Sequence, residues 1–276
     1  MTNSIAPLSN LLPSTLPPVG EVADMARRFS GVKRLYGETG LVKLQAAHVV
    51  VIGIGGVGSW AAEALARNAV GSITLVDLDN IAESNVNRQI HALDGEFGKA
   101  KITAMRERIG QINPNCIVRE IEDFVTLENA SKLLDFEFDV LADCIDDAAA
   151  KAILAAMCKA VKRPIIMSGS AGGRLDPTRI KVADLSAVTN DKLLAKVRTI
   201  LRRDYAFPKA TQLKKPAKFG VVCVYSDEPT IKPEAACDAD AGSITGLNCA
   251  GYGSSVCVTA PMGFAAAQLA IIKIIA

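Results

Sequence analysis

The stretch that most constrains this chain runs from Val49 to Ala66. Four β-branched residues, Val49-Val50-Val51-Ile52, break into Gly53-Ile54-Gly55-Gly56-Val57-Gly58 and resume as the helical pattern Ser59-Trp60-Ala61-Ala62-Glu63-Ala64-Leu65-Ala66. A continuous β-branched run suits a strand buried on both faces, as in a parallel sheet. Glycines at its end let the chain turn tightly and bring bare backbone N–H groups up to an anion at the next helix's N-terminus. Gly53, Gly55 and Gly58 fit G-x-G-x-x-G, and Asp77, nineteen residues past Gly58, closes a second apolar run, Ile73-Thr74-Leu75-Val76. An acid there suits ribose hydroxyls. The pattern reads as a phosphate cradle and leaves NAD, FAD and ATP open, with a purely structural strand turn as the alternative.

The rest of the composition agrees with such a sheet. Half of the 276 residues are hydrophobic but only 5% are aromatic, so Ala, Val, Leu and Ile must fill the interior. Residues 1–20 hold Pro7, Pro13, Pro17 and Pro18 and no Lys or Arg, which reads as a disordered tail rather than a targeting peptide. Residues 21–276 read as a single α/β domain. The net charge of +2 does not announce a nucleic-acid binder, although an average can hide a basic patch. Seven scattered cysteines with no C-x-x-C pair point to a reducing cytoplasm and leave no framework for a four-thiolate zinc site. Val256 to Ile272 is uncharged and apolar, just under the length of a membrane span. Pro261, Gly263, Gln268 and Ala265 to Ala267 favour a buried helix, and peripheral membrane contact stands as the alternative.

Along the chain, Glu21 to Gln45 has apolar residues at helical spacing and carries Arg27, Arg28 and Arg34. These arginines suit a solvated face, or one reaches a phosphate across a dimer interface. A polar connection rich in hydrogen-bonding side chains follows Asp77, from Leu78 and Asp79 to Asn85, Arg88 and Gln89, which is unusual for a hydride-transferring enzyme. A helix is expected over Lys99 to Asn113, with Lys101 in its first turn, where a cation opposes the helix dipole unless an anion sits nearby. Strands are expected at Cys116 to Ile121, Phe138 to Ile145 and Pro164 to Met167, and helices at Leu127 to Leu134 and Ala148 to Val161. Asp146 falls at a strand's carboxyl end, where ligands of open α/β sheets collect; capping the next helix is its other reading. Ser168 to Arg174 supplies a second glycine-rich, anion-friendly loop.

From Lys181 to Gly220 ten basic side chains stand against three acidic ones, a local excess of +7, so the remainder carries about −5. We read 184–235 as a basic substrate-binding insertion, with Arg198, Arg202, Arg203, Lys214, Lys215 and Lys218 as its nucleic-acid patch. Tyr205, Phe207 and Phe219 offer stacking surfaces beside phosphate contacts. A solvated amphipathic helix followed by a loop is the plainer account.

Gly53 to Gly58, Asp77, Asn85, Arg88-Gln89, Lys101 and Asp146 together resemble, in order and spacing, the nucleotide site of the adenylating enzymes related to ubiquitin-activating enzymes. Arg34-Leu35-Tyr36-Gly37, Asn87-Arg88-Gln89-Ile90-His91-Ala92-Leu93 and Asp123-Phe124-Val125-Thr126 are similar to the branch that acts on threonylcarbamoyladenosine in tRNA. The resemblance implies a Rossmann-like, mostly parallel sheet with helices on both faces, extended by the basic insertion and a C-terminal helix. It implies ATP and Mg²⁺ as cofactors, adenylation of the threonyl carboxylate, and ring closure with loss of water. By the same resemblance Asp77 holds the ribose, with Asp79 and Gln89 beside it. Gly53, Gly55, Gly56 and Gly58 line the phosphates, Asn85, Arg88 and Lys101 bind the triphosphate, and Asp146 organises Mg²⁺. Arg88, Lys101 and Asp146 are thus the expected catalytic residues.

The implied partners are tRNA carrying threonylcarbamoyladenosine, a second copy of the chain, and a sulfur-transfer protein. The chain departs from the sulfur-carrier activators in lacking the two C-x-x-C pairs, so zinc is not expected. Their partner-supplied arginine would align near Gly31, leaving Arg28 or Arg34 as substitutes. Cys223, Cys237, Cys249 and Cys257 have no activating neighbour in sequence and read as buried or incidental thiols. Three other readings stand beside the cyclase. They are activation of a small ubiquitin-like or sulfur-carrier protein at its C-terminal carboxylate, a nucleotide-sensing scaffold without turnover, and an NAD-linked dehydrogenase.

Overall fold

A computed structural model of the chain describes residues 23–209, 217–231 and 252–276. The tail at 1–20, Lys214, Lys215, Cys237 and Cys249 lie outside the described residues. The first half runs α1 (Met25–Arg28), α2 (Ser30–Ala46), β1 (His48–Ile52), α3 (Gly58–Arg67), β2 (Ser72–Val76), α4 (Lys101–Ile112) and β3 (Ile117–Ile121). The second runs α5 (Ala130–Leu133), β4 (Val140–Asp143), α6 (Ala148–Ala160), β5 (Ile165–Ser168), β6 (Ile180–Asp184), α7 (Lys192–Asp204), β7 (Val222–Ser226) and α8 (Val256–Ile275).

The strands form one seven-stranded sheet in the order β3-β2-β1-β4-β5-β7-β6, parallel except for β6, which runs antiparallel to β7. Val49 and Val51 point into one core layer, with residues of α3, α4 and α8, while Val50 and Ile52 point into the other, with residues of α6 and α7. Both faces of β1 are therefore dry, which is why its sequence is apolar throughout rather than alternating. Strand order reverses at β1 and β4, and their adjacent carboxyl ends open the crevice in which such sheets bind ligands.

The structure builds the basic segment into the sheet and changes one sequence expectation. Of the basic segment 184–235, the described residues are built into the domain: β7 lies between β5 and β6, and α7 buries Leu194, Val197 and Leu201 in the second core layer. Phe207 and Phe219 are not stacking surfaces. Both are buried, 5.1 Å apart between ring centroids, in that same layer, because the rings cover apolar surface that the charged stretch around them leaves dry.

Among the described residues α8 is the one helix long and apolar enough to cross a membrane, and half of its apolar window is buried in the fold. A Cβ added at Gly263 would lie 2.5 Å from the Val57 carbonyl oxygen, so α8 approaches α3 at backbone contact distance. Close packing of this kind, not lipid, covers its inner face.

Candidate active site

A cleft of about 480 Å³ opens at the carboxyl ends of β1, β2, β4 and β5. Of the sequence-predicted residues, Gly53, Gly55, Gly56, Asp77, Asp79, Arg88, Gln89, Lys101 and Asp146 all line it. Gly58 and Asn85 do not, and each has a structural task. A Cβ at Gly58 would fall 1.8 Å from the Gly53 carbonyl oxygen, so only glycine allows the turn into α3. The buried Asn85 accepts a hydrogen bond from the Ala82 amide (3.0 Å) and so holds the 83–85 turn.

The glycines of the loop serve different ends. Gly53 has φ +84°, and a Cβ there would meet Ile145 and the Cys144 backbone at 2.8–3.0 Å. The glycine loop therefore packs directly on the segment that carries Asp146. Gly55 is different: its φ is not left-handed, and a Cβ there would meet no protein atom within 4 Å. Nothing among the described residues requires that glycine, but a ligand backed against the chain would.

Asp77 is almost wholly buried, and its two carboxylate oxygens accept from the Ile54 amide (2.6 Å) and the Asp79 amide (2.9 Å). It thus ties the glycine loop to the polar connection. Desolvation pushes its pKa up, opposed by the Lys101 charge and by those amides. Each oxygen keeps a second lone pair for a ligand hydroxyl.

Lys101 enters the cleft from the first turn of α4. Its ammonium is nearly buried and lies 2.7 Å from Asp79 Oδ2, whose side chain is 56% exposed. A bond to so exposed a carboxylate is weakly held, and a bound polyanion can take the lysine over. Arg88 donates from Nη1 to the Ser84 carbonyl (2.6 Å) and to Asn87 Oδ1 (2.9 Å). Its own carbonyl accepts from Trp60 Nε1 (3.0 Å) and Thr259 Oγ1 (3.4 Å), so α3 and α8 fix the arginine's backbone. The Oε1 atom of the buried Gln89 has no partner among the described residues although the residue lines the cleft. Asp146 follows β4 and lines the cleft. Desolvation by the cleft walls raises its pKa, against a backbone hydrogen bond and the charge of Lys151, with Asp147 and Asp79 adding repulsion.

An exposed-side glycine with empty space before it, an unpartnered buried acceptor and a displaceable lysine fit a nucleoside polyphosphate. Among the described residues no group of three or more His, Cys, Asp or Glu forms a ready cation cage.

The anion-friendly loop residues Ser168 to Gly172 and the motif residues Asp123 and Phe124 line the cleft as well, together with Ser254 and Thr259, to which sequence reasoning gave no role in the site. The loop after β5 is held by Asp191, which accepts from the Ser170 amide (2.8 Å) and caps α7 through the Leu194 amide (2.9 Å). Of the expected nucleic-acid patch, Arg198 donates to the Leu185 and Val188 carbonyls at 3.1 and 2.7 Å. Arg202 donates to the Pro208 carbonyl and lies over the Phe219 ring. Arg203 forms a bidentate pair with Asp204, and Lys218 is exposed. Arg28 donates to the Gln111 and Ile112 carbonyls at the end of α4, whereas Arg34 is exposed. Cys223 is buried in β7, where desolvation raises its pKa, and Cys144, in the cleft wall, is pushed up to about 12. Cys257 is exposed.

Fold and cleft together define a nucleotide-binding α/β protein, and the ThiF family profile matches residues 28–274. The chain belongs to the ThiF family. Within it, the tRNA threonylcarbamoyladenosine dehydratase of Haemophilus influenzae is 43% identical over 93% of this chain and 97% of its own. The crystal structure of Escherichia coli tRNA N6-threonylcarbamoyladenosine dehydratase in complex with ATP matches with a TM-score of 0.81 at 42% identity, covering 92% of this chain and 97% of that one. The same enzyme in complex with AMP gives a TM-score of 0.82 at 42% identity, covering 93% and 97%.

Proposed function

We propose that this chain is an ATP-dependent enzyme that cyclises N6-threonylcarbamoyladenosine in tRNA, beside the anticodon, through adenylation of the threonyl carboxylate. The observation that carries the reading is similarity to dehydratases of that name along nearly the whole chain. A carboxylate oxygen attacks the α-phosphorus of ATP and pyrophosphate leaves. The carbamoyl group of the same nucleoside then attacks the activated carbonyl, AMP leaves, and the nucleoside has lost one water. The chemistry is ligase-type, forming AMP and pyrophosphate.

The first step brings a carboxylate up to a polyphosphate, so the site must offset repulsion between anions. Arg88 and Lys101 bring two cations to the cleft that Asp146 also lines, and Lys101 exchanges Asp79 for phosphate as the nucleotide enters. Asp77 accepts from the ribose, and the backbone at Gly55 and Gly56 receives the phosphates. Removing an electrostatic donor of this type commonly costs on the order of 10²-fold in rate. Asp146 would hold Mg²⁺ together with the phosphates. That ion supplies charge stabilisation for the departing pyrophosphate.

The reading places the enzyme in the cytoplasm as a homodimer, with a sulfur-transfer protein as a further partner. Since Arg28 is engaged at the end of its own α4, Arg34 is the arginine left to cross to a partner's cleft. The test is incubation with ATP, Mg²⁺ and tRNA carrying threonylcarbamoyladenosine, followed by mass analysis of the nucleosides. Loss of one water is expected. Pyrophosphate exchange stimulated by a Gly-Gly-ended protein, with the nucleoside intact, would overturn the reading.

A further inference from the structure

The exposed face of α7 carries Lys192, Lys196, Thr199 and Arg203, spaced i, i+4, i+7 and i+11, while Leu194, Val197 and Leu201 face the core. These four residues form one ridge about 16 Å long at 1.5 Å per residue. It is not the patch that charge density alone suggests, because Arg198 and Arg202 on the flanks are engaged with backbone carbonyls. Lys192 and Lys196 make no ion pair among the described residues.

An ordinary solvated helix face interleaves acids with its bases, since like charges at i, i+4 destabilise a helix. Here Lys192 and Lys196 stand one turn apart with no acid in the first turn, and Lys192 sits at the helix end where the dipole disfavours a cation. The Asp191 cap offsets the dipole at Lys192, but the repulsion between the two lysines is relieved only by an anion along the ridge. The ridge also starts at the cleft: Leu193 lines the cleft, and Asp191, the α7 cap, holds the Ser170 amide of the cleft loop.

We propose that the α7 ridge is a phosphodiester track for RNA, on which Lys192 and Lys196 hold the backbone flanking the nucleotide whose modified base enters the cleft. This rests on the proposed tRNA reaction and assigns it a surface. The intervals along the helix, about 6 Å between Lys192 and Lys196, suit successive phosphates.

The test is tRNA binding by Lys192→Glu/Lys196→Glu in the full chain across a salt series, beside Lys192→Gln/Lys196→Gln and a control, Lys162→Glu, at the far end of α6. The Glu pair is expected to weaken tRNA binding on the order of 10- to 100-fold near 0.1 M salt, and the Gln pair to lower the slope of log affinity against log salt by about 2. ATP affinity should be unchanged in both and the thermal midpoint no lower than the parent's, and Lys162→Glu should bind tRNA like the parent. Unaltered affinity and slope in both pairs would overturn the track. So would displacement of tRNA by polyglutamate at equal charge concentration, which would make the ridge a site for acidic protein. Conversion of modified tRNA by the parent chain in the same experiment separates failure of the track from failure of the proposed reaction.

Discussion

Lys151 Nζ lies 3.0 Å from Asp143 Oδ1, and neither side chain is exposed to solvent. Asp143 ends β4 three residues before Asp146, and its Oδ1 also accepts from the Ile145 amide (3.3 Å) while Oδ2 has no partner. An ion pair in a dry interior is held by mutual attraction against a large desolvation cost, so removing one member strands the other. Lys151→Met should therefore destabilise the fold by about 3–5 kcal/mol, and adding Asp143→Leu should recover much of that loss. Urea unfolding of the two variants and the parent measures it. ATP affinity should fall in the single variant, because Cys144, Ile145 and Asp146 leave the cleft wall that Asp143 anchors.

His91 is buried with both ring nitrogens lacking a hydrogen-bond partner, and its pKa is pushed down to about 4, chiefly by desolvation and then by the charges of Lys101 and Arg108. The folded state thus binds this proton less readily than the unfolded chain, whose histidine titrates near 6.5. Stability from neutral His91 is present above about 6.5 and is lost as pH falls toward 4. Between pH 7.5 and pH 5 the parent should lose about 2 kcal/mol more than His91→Leu. Denaturant titrations at the two pH values check it, and equal losses would show that His91 is not the group responsible.

Gly55 and Gly58 should separate binding from folding. Gly58→Ala sets a methyl group against the Gly53 carbonyl and should unfold or grossly distort the chain. In Gly55→Ala the methyl meets only cleft space, so the thermal midpoint should hold while ATP affinity drops by about tenfold, or about 1.4 kcal/mol. Calorimetric titration with ATP beside a melting curve distinguishes the two.

Lys101→Met should lower kcat/KM on the order of 10²-fold with modified tRNA, whereas Asp79→Asn should alter stability by no more than about 1 kcal/mol. The asymmetry follows from exposure, since Lys101 is buried at the cleft and Asp79 meets solvent. Equal effects of both changes on catalysis would show that the pair itself, not the free lysine, is the working unit.

Much of this was legible in the order of residues. The β-branched runs, the glycine spacing, Asp77 and the helix from Lys101 to Ile112 are patterns of short range, and local backbone preference with two covered faces leaves them few other outcomes. The glycines of the cradle and Asp77 follow from that pattern, because strand ends of a parallel sheet converge on one edge, whereas Asp79, Arg88, Gln89, Lys101 and Asp146 were named through the family resemblance.

Only tertiary structure decided the rest. Thr259 reaches the Arg88 carbonyl across a separation of 171 residues, and nothing local marks it. Phe207 and Phe219 lie within a charged stretch but pack inside, and Arg198 and Arg202 are engaged by carbonyls that a sequence cannot place. By itself the sequence determined the strands, the glycine cradle and the chemistry they can hold, since neighbouring residues set backbone geometry and apolar period. Which cations face outward, and which side chains close the cleft, depended on how distant elements pack, since burial and partners belong to a place in the fold rather than to a residue type.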